Sequence, residues 1–275
     1  MRWLVADSLY CHEAFFCSHL DSYSHYLREF GEDATSVNVS GGAFALEIDG
    51  PDCVAFVLDN YGMPIKGQGK RIAQVAAICN PMPWDVRKRD GSPAYDLVIS
   101  SIPWMIDEAH AKGCRGEYMP LAFDTRARAC GMGVQRDLAC IFVGTVGPNH
   151  VRRTQLLEEL KDIVTVMPPV FGREYFKTLA RARTVFNVHA EWTKGAANAM
   201  RLYEAAGMGA EPVSDGEAFI DQFWWGPNEF VSAAHARDWI MKAAYGDDEK
   251  AAQDVLLAHT YESRIPRLVE LARSL

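Results

Sequence analysis

The chain has 275 residues, of which 49% are hydrophobic and 23% charged, and its formal net charge is -8 at pH 7. These values are typical of a globular protein of one or two domains, and they exclude a disordered or low-complexity chain. The acidic balance argues against a general nucleic-acid-binding surface. No apolar run approaches the roughly 18 residues needed to cross a bilayer, so we expect a cytoplasmic protein without integral membrane contact.

Seven cysteines are spread over the first half of the chain without any C-x-x-C pair. An odd number without metal-ligand spacing favours reduced thiols over a disulfide framework or a zinc site. The sequence therefore predicts no metal site.

Apolar runs and turn signals alternate through the first half of the chain. The apolar runs end in polar residues or glycine, as buried parallel strands do. The predicted elements are a strand over 3–7, a helix over 20–30 that stops at Gly31, strands over 36–39, 53–58, 72–78 and 96–100, a helix over 104–112 and a strand over 117–121. This alternation predicts a parallel sheet covered by helices on both faces.

A polar, glycine-bearing segment follows Asp124 and suits a domain linker, so the predicted boundary lies near Gly133. The same alternation then restarts, with strands over 138–143, 163–167, 184–188 and 211–214 and helices over 152–160, 175–182, 236–244 and 254–274. We predict an α/β protein with Rossmann-like domains over 1–133 and 134–254 and a final helix within 255–275.

Residues 187–215 combine the end of a strand, a polar loop and a helix that carries Arg201 and Glu204. In a strand–loop–helix crossover the free N–H groups at the helix start face the loop, so Gly195 to Asn198 would offer donors to a phosphate. Arg201 would add a bidentate charge, and Glu204 would accept from a diol. An Arg and a Glu three apart on a helix also form ordinary surface ion pairs, so the spacing leaves both interpretations open.

Five motifs occur together: DLVIS over 96–100, YMPLAFD over 118–124, FVGT over 142–145 with Arg152 and Arg153, RLYEAAG over 201–207, and HTYESR over 259–264. Together they resemble CgeB-like glycosyltransferases, the spore-maturation-protein branch of the GT-B fold. The resemblance covers residues 95–275 well and the first 95 in architecture only. It implies two Rossmann-like domains facing each other across a cleft, with the C-terminal helix crossing back to the first. The implied activity moves a sugar from a nucleotide-diphosphate-sugar donor to a hydroxyl acceptor, without a metal ion or other cofactor.

The resemblance also assigns the donor site position by position. Glu204 matches the carboxylate that binds the donor ribose, and Arg201 with the amides before it, including Asn198, matches the diphosphate side. Gly144 and Thr145 match the loop after the first donor-domain strand, where a side chain would crowd the phosphate.

The resemblance and the positions of single residues together suggest further donor contacts. Arg153 belongs to the element after the Gly144 loop, and Lys194, Arg153 and Arg201 are candidates to stabilise the leaving diphosphate. The turn that includes Phe171 falls where the nucleobase lies. His189, at a strand end, would contact the donor sugar or its phosphate.

An inverting enzyme also needs a general base on the acceptor side. Asp59 is the first choice because it directly follows a strongly apolar strand, and Asp7, His12 and Asp124 also lie at strand ends. Helix capping or turn formation is the competing explanation for such residues. Many retaining enzymes of this fold carry a glutamate where this chain has Ala196, which puts a retaining mechanism in doubt.

Three alternatives remain open at this point. The basic residues between Lys66 and Arg89 suggest a phage-type DNA glycosyltransferase acting on a modified base, among acceptors that include polysaccharide, protein and small molecules. The missing glutamate suggests a non-catalytic nucleotide-sugar-binding module. An epimerase shares the same architecture.

Overall fold

The computed structural model describes residues 1–8, 17–39, 45–58, 63–75, 81–189, 200–215, 228–230, 232–245 and 255–275. The chain forms two compact units, Met1–Pro120 with Tyr261–Leu275, and Leu121–Thr260. The predicted boundary near Gly133 lies inside the second unit.

The first unit contains a parallel six-stranded sheet. Its strands are β1 (Arg2–Ser8), β2 (Asp33–Val39), β3 (Leu46–Val57), β4 (Ile65–Val75), β5 (Leu97–Ser100) and β6 (Gly116–Tyr118), in the order β2-β1-β3-β4-β5-β6. Its helices are α1 (His19–Glu29), α2 (Pro103–Ala111) and α7 (Tyr261–Arg273). The final helix therefore belongs to the first unit, as the resemblance implies.

Local sequence explains where α1 begins and ends. The Ser18 hydroxyl accepts the Asp21 backbone N–H at 3.2 Å and caps the first turn. Gly31, the predicted stop, has a φ of 89° that favours glycine. Between these ends Tyr23 lies edge-on to Phe56 of β3 and to Tyr261 of α7, with ring centroids 4.9 Å apart in each pair. This aromatic cluster joins sheet and helices in the core of the first unit.

Strands β3 and β4 begin earlier than predicted. Glycine allows the two strands to approach closely here, since a Cβ at Gly67 would lie 2.0 Å from the carbonyl oxygen of Ile48. The pairing shifts register between Asp49 and Val54. Glycine within these strands therefore marks close contact between backbones.

The second unit contains a parallel five-stranded sheet. Its strands are β7 (Leu138–Val143), β8 (Thr165–Met167), β9 (Ala182–Asn187), β10 (Glu211–Asp215) and β11 (Asn228–Phe230), in the order β11-β10-β9-β7-β8. Its helices are α3 (Val151–Glu159), α4 (Gly172–Arg181), α5 (Met200–Gly207) and α6 (Ala233–Tyr245). Phe142, Phe186 and Val213 are fully buried in its core.

The segment expected to be a linker is folded. Thr125–Gly131 forms a 3₁₀ helix that packs against α4 and buries Ala127 and Cys130. The Asp124 side chain caps it by accepting the Arg126 backbone N–H at 2.9 Å. The segment therefore contributes to the core of the second unit.

Strand order indicates where each sheet binds ligands. In both units the first strand lies between the second and the third, so the chain switches direction across the sheet between β1 and β3 and between β7 and β9. Open α/β sheets bind ligands outside the carboxyl ends of the strands at this switch point. The prediction of two Rossmann-like parts with parallel sheets is confirmed. Among the described residues, no helix has the length and apolar composition needed to cross a membrane.

Candidate functional site

The loop after β7 lies at the switch point of the second sheet. Gly144 follows the buried strand directly, and a Cβ there would lie 3.0 Å from Cζ of Phe142 and 3.3 Å from Nη2 of Arg201. Both distances are tighter than ordinary van der Waals contact. Glycine is therefore the residue that lets the aromatic ring and the guanidinium group close around this loop.

Two guanidinium groups lie over the Phe142 ring. The Cζ atom of Arg153, from α3, is 5.5 Å from the ring centroid, and that of Arg201, from α5, is 5.7 Å away. Both distances are within the range of a cation–π interaction. One ring thus supports two positive charges at the carboxyl end of β7.

Neutral groups hold both arginines in place. Arg153 donates to the Val188 carbonyl at 2.9 Å through Nη2 and to the Thr145 carbonyl at 2.8 Å through Nη1. Arg201 donates from Nη1 to Oδ1 of Asn187 at 2.9 Å, and the Asn187 amide is fixed by Ser214. Because these acceptors carry no formal charge, both guanidinium charges remain available to an anion.

The electrostatics of the pair favour such an anion. Neither Arg153 nor Arg201 forms an ion pair with a carboxylate in the part of the chain that the structure describes. Burial lowers the pKa of Arg153, and the neighbouring charge of Arg201 lowers it further. An anion bound between them would offset this repulsion, as phosphate does in arginine-lined sites.

Glu204 lies on the same helix as Arg201 but takes a different partner. Its Oε2 accepts the Tyr175 hydroxyl of α4 at 2.7 Å. Burial raises the pKa of Glu204, although the Tyr175 hydrogen bond and the Arg201 charge oppose the increase. Arg201 and Glu204 therefore do not form the ordinary surface ion pair that their spacing also allowed.

Asp215 gathers a second polar cluster at the end of β10. Its carboxylate is fully buried and accepts Nδ1 of His189 and Nη1 of Arg152, each at 2.5 Å. Burial acts to raise the pKa of Asp215, but the hydrogen bonds from His189 and Arg152 and the positive charge of Arg152 outweigh it and lower the pKa. The cluster is thus a buried carboxylate held between an imidazole and a guanidinium group.

Comparison with known proteins agrees with this architecture. Residues 142–270 match the family model described as glycosyl transferase-like. AviGT4, a glycosyltransferase involved in avilamycin A biosynthesis, is 13% identical, with a TM-score of 0.64 over 98% of this chain and 97% of that one. A glycosyltransferase from Rickettsia africae ESF-5 is 9% identical, with a TM-score of 0.61 over 99% of this chain and 98% of that one. No curated protein matches the sequence.

The fold is GT-B. A third GT-B structure similar to this chain is a DNA-modifying β-glucosyltransferase, determined in the presence and absence of uridine diphosphoglucose. It is 11% identical, with a TM-score of 0.57 over 99% of this chain and all of that one. At these identities the similarity establishes the fold alone, and the closer resemblance to CgeB-like enzymes stays a prediction.

Four of the predicted donor residues lie together in the second unit. The structure brings Arg153 and Arg201 together at the Gly144 loop, and the Thr145 carbonyl accepts Arg153. The Phe171 side chain is 62% exposed at the N-terminal end of α4. Lys194, Asn198 and Ala196 lie outside the described residues.

The predicted bases belong to different parts of the chain. Asp7, near the carboxyl end of β1, is 2% exposed and lies at the switch point of the first sheet. Asp124 forms an ion pair with Arg126 at 2.5 Å in addition to its capping role, which favours the structural explanation for this residue. Asp59 and His12 lie outside the described residues.

Sequence reasoning missed the roles of Asp215, Arg152 and Tyr175. Asp215 directly follows the predicted strand over 211–214, so its place at a strand end could have identified it. Tyr175 carried no comparable signal, since its partner Glu204 lies 29 residues further along the chain.

The basic group between Lys66 and Arg89 is largely committed to contacts within the first unit. Lys70 donates to the Ala272 carbonyl at 2.7 Å, and Arg87 donates to the Lys112 carbonyl at 2.8 Å. Lys88 forms an ion pair with Asp96 at 3.7 Å. The carbonyl acceptors hold Lys70 and Arg87 in place without neutralising their charge, whereas Asp96 partly offsets the charge of Lys88.

Proposed function

We propose that the protein is a glycosyltransferase that moves a sugar from a nucleotide-diphosphate-sugar donor to a hydroxyl acceptor. The observation that carries the proposal is the pair of guanidinium groups, Arg153 and Arg201, held over Phe142 at the Gly144 loop. This pair lies at the switch point of a Rossmann-like sheet, where nucleotides bind. The match of residues 142–270 to a glycosyl transferase-like family model supports the same activity.

In the proposed complex the diphosphate lies against Arg153 and Arg201, and the ribose hydroxyls donate to Glu204. The Tyr175 hydroxyl occupies Oε2 of Glu204, which leaves Oε1 to accept from the diol. Phe171 lies at the nucleobase side, and Lys194 and Asn198 complete the phosphate side as predicted. All of these proposed contacts come from residues of the second unit.

The two guanidinium groups supply the chemistry that departure of the nucleoside diphosphate requires. As the anomeric carbon–oxygen bond breaks, its electron pair leaves with the diphosphate, and fixed positive charge stabilises the growing negative charge. Metal-free transfer is part of the proposal, with arginines in the role of a divalent ion. The acceptor hydroxyl attacks the anomeric carbon and gives its proton to a base of the first unit, for which Asp59 and Asp7 are the candidates.

A thermal-shift screen tests donor binding. Uridine, adenosine, guanosine, cytidine and thymidine diphosphate hexoses should be compared at millimolar concentration, because a ligand of the folded state stabilises by RT ln(1 + [L]/Kd). We expect at least one of them to raise the melting temperature in wild type and to lose most of that effect in Arg201→Ala. Arg237→Ala is a matched control, since Arg237 is paired with Asp162 on the surface of the same unit. If no nucleotide sugar shifts the wild-type melting temperature, the proposal fails.

Product analysis tests turnover. Slow release of free sugar and nucleoside diphosphate from the bound donor, with water as acceptor, is the result expected of a glycosyltransferase. A bound donor that stays intact would indicate a non-catalytic binding module, and a donor converted to its epimer would indicate an epimerase. Either of these results contradicts the proposed transfer.

A further inference from the structure

The two ring nitrogens of His189 differ in their hydrogen-bond contacts. Nδ1 lies 2.5 Å from Oδ1 of Asp215, and the His189 backbone N–H points to the same carboxylate at 3.2 and 3.3 Å. A carboxylate only accepts hydrogen bonds, so this contact places a proton on Nδ1. Arg152 holds the other side of the carboxylate at 2.5 Å and fixes its orientation.

The other ring nitrogen, Nε2, is buried and has no hydrogen-bond partner among the residues that the structure describes. His189 as a whole is 4% exposed. Leaving a buried polar atom without a partner costs free energy, and such atoms are uncommon in folded proteins. An unpaired Nε2 held in a fixed direction is therefore a binding group that a ligand would complete.

The position of His189 identifies which ligand that is. The carbonyl of the preceding residue, Val188, accepts the Arg153 guanidinium group at 2.9 Å, so His189 follows directly on a residue that holds one of the two arginines assigned to the diphosphate. In the tautomer that carries its proton on Nδ1, Nε2 of the ring has a lone pair that accepts from a hydrogen donor. Ionised phosphate oxygens carry no proton to donate, whereas the hydroxyl groups of the attached sugar do.

We propose that Nε2 of His189 accepts a hydrogen bond from a hydroxyl group of the transferred sugar, and that Asp215 and Arg152 are the residues that position it. The inference rests on the proposed function, and it deepens it by naming the part of the donor that His189 recognises. His189 then distinguishes a nucleotide sugar from the nucleoside diphosphate that remains after transfer. Its contact is lost with the sugar, which favours release of the spent nucleotide.

The test compares two ligands in the same variants by calorimetric titration. The probes are uridine, adenosine, guanosine, cytidine and thymidine diphosphates and their glucose and N-acetylglucosamine conjugates, and the pair bound by wild type is carried forward. His189→Asn keeps an amide that can donate to Asp215 but has no atom at Nε2. It should lose roughly fivefold to tenfold in affinity for the nucleotide sugar, as expected for one hydrogen bond, and less than about twofold for the nucleoside diphosphate.

A second variant separates this contact from simple packing. His189→Gln has an amide oxygen that reaches further and can accept from a hydroxyl, so it should keep clearly more sugar-specific affinity than His189→Asn. Asp215→Asn, which weakens the hold on Nδ1, should also lose affinity for the nucleotide sugar more than for the diphosphate. His235→Ala is the control, because His235 contacts Trp239 on α6 of the same unit. It should leave the ratio of the two affinities unchanged.

The outcomes separate this inference from the function on which it rests. Three results would overturn the role of His189 without contradicting the proposed donor site. They are equal losses for both ligands in His189→Asn, no loss for either ligand, or identical affinities of the Asn and Gln variants. A wild-type protein that binds none of the nucleotide sugars would overturn the proposed function and this inference with it.

Discussion

Gly144 determines at the scale of one residue how closely charge can approach the loop after β7. The absence of a side chain leaves the Arg201 guanidinium group close to the loop backbone, where phosphate oxygens would accept from both. The effect is local, because Gly144 has no backbone conformation that requires glycine. Its importance is therefore for binding more than for folding.

Gly144→Ala tests this directly. The new Cβ would lie 3.3 Å from Nη2 of Arg201 and 3.0 Å from the Phe142 ring, so the guanidinium group must shift. We expect affinity for the nucleotide sugar to fall by about tenfold, which is the loss expected for one misplaced charge-assisted hydrogen bond. Gly147→Ala, in the same loop with no atom within 4 Å of the added methyl group, should bind normally by calorimetry. Equal losses in the two variants would contradict the crowding argument.

We expect Glu204 to affect both donor binding and the pH dependence of stability. Its burial raises its pKa, so the folded protein binds this proton more tightly than the unfolded chain does. The stability contributed by such a carboxyl is present at low pH and is lost as the pH rises above the ordinary value of 4.5. Glu204→Gln cannot ionise and avoids that loss.

We therefore expect Glu204→Gln to become more stable relative to wild type as the pH rises from about 4 to about 7, while its affinity for the nucleotide sugar falls sharply. Urea unfolding at several pH values measures the first effect, and calorimetry measures the second. A stability difference that does not change with pH would contradict the burial argument, whereas unchanged affinity would contradict the ribose contact.

The sequence indicated candidate residues for the site but not the partners of those residues. Arg201 and Glu204 were indicated by their helix, which is a local feature, and the Gly144 loop by the resemblance to CgeB-like enzymes. Asn187 lies 14 residues from Arg201 in sequence, and Asp215 lies 26 residues from His189. Contacts of this kind depend on how strands align in the sheet, which local spacing does not determine.

Helix α5 shows at the scale of an element how the site is held in place. Its Leu202, Ala205 and Ala206 are fully buried, while Arg201 and Glu204 lie at the candidate site. Gly207 ends the helix against the Phe123 ring, where an added Cβ would lie 2.4 to 2.6 Å from ring carbons. The helix is therefore positioned by close packing at its last residue.

Gly207→Ala should destabilise the protein by about 1–3 kcal/mol, the usual cost of overpacking a core. This direction is informative because alanine otherwise favours a helix over glycine. Chemical denaturation measures the change, and Gly147→Ala should stay within about 0.5 kcal/mol of wild type. An increase in stability for Gly207→Ala would show that Phe123 moves aside without cost.

Strands β3 and β4 mark the limit of element prediction. Their apolar ends were predicted, but residues 46–52 and 65–71 were missed because exposed positions and glycines there are typical of turns. Pairing with each other stabilises these segments as strands. Strand pairing is a tertiary interaction, so single-sequence patterns underestimate strand length.

At the scale of the whole molecule, charge bears on the choice of acceptor. The net charge is -8, and several basic side chains between Lys66 and Arg89 bond within the first unit. We expect no measurable binding of duplex DNA at about 150 mM salt, since nucleic-acid affinity depends on phosphate contacts by lysine and arginine. Fluorescence anisotropy with a labelled duplex at several salt concentrations measures this. Tight binding that weakens steeply with salt would instead favour a DNA acceptor.

The overall fold was predictable because strand and helix signals alternate through both halves of the chain. The role of the segment after Asp124 was less predictable, since its polar, glycine-bearing composition is typical of a linker. In the structure Ala127 and Cys130 are buried and the segment packs against α4. The composition of the segment reflects its polar side chains, whereas its few apolar side chains pack into the second unit and hold the segment there.

In the proposed function, Arg153 and Arg201 together bind the diphosphate of a nucleotide sugar. The most direct measurement is calorimetric titration of the nucleotide sugar selected by thermal shift into wild type, Arg153→Ala, Arg201→Ala and the surface control Arg237→Ala. We expect saturable binding that weakens by at least about tenfold in Arg153→Ala and in Arg201→Ala and stays unchanged in the control. Wild-type affinity in both Arg153→Ala and Arg201→Ala would contradict it.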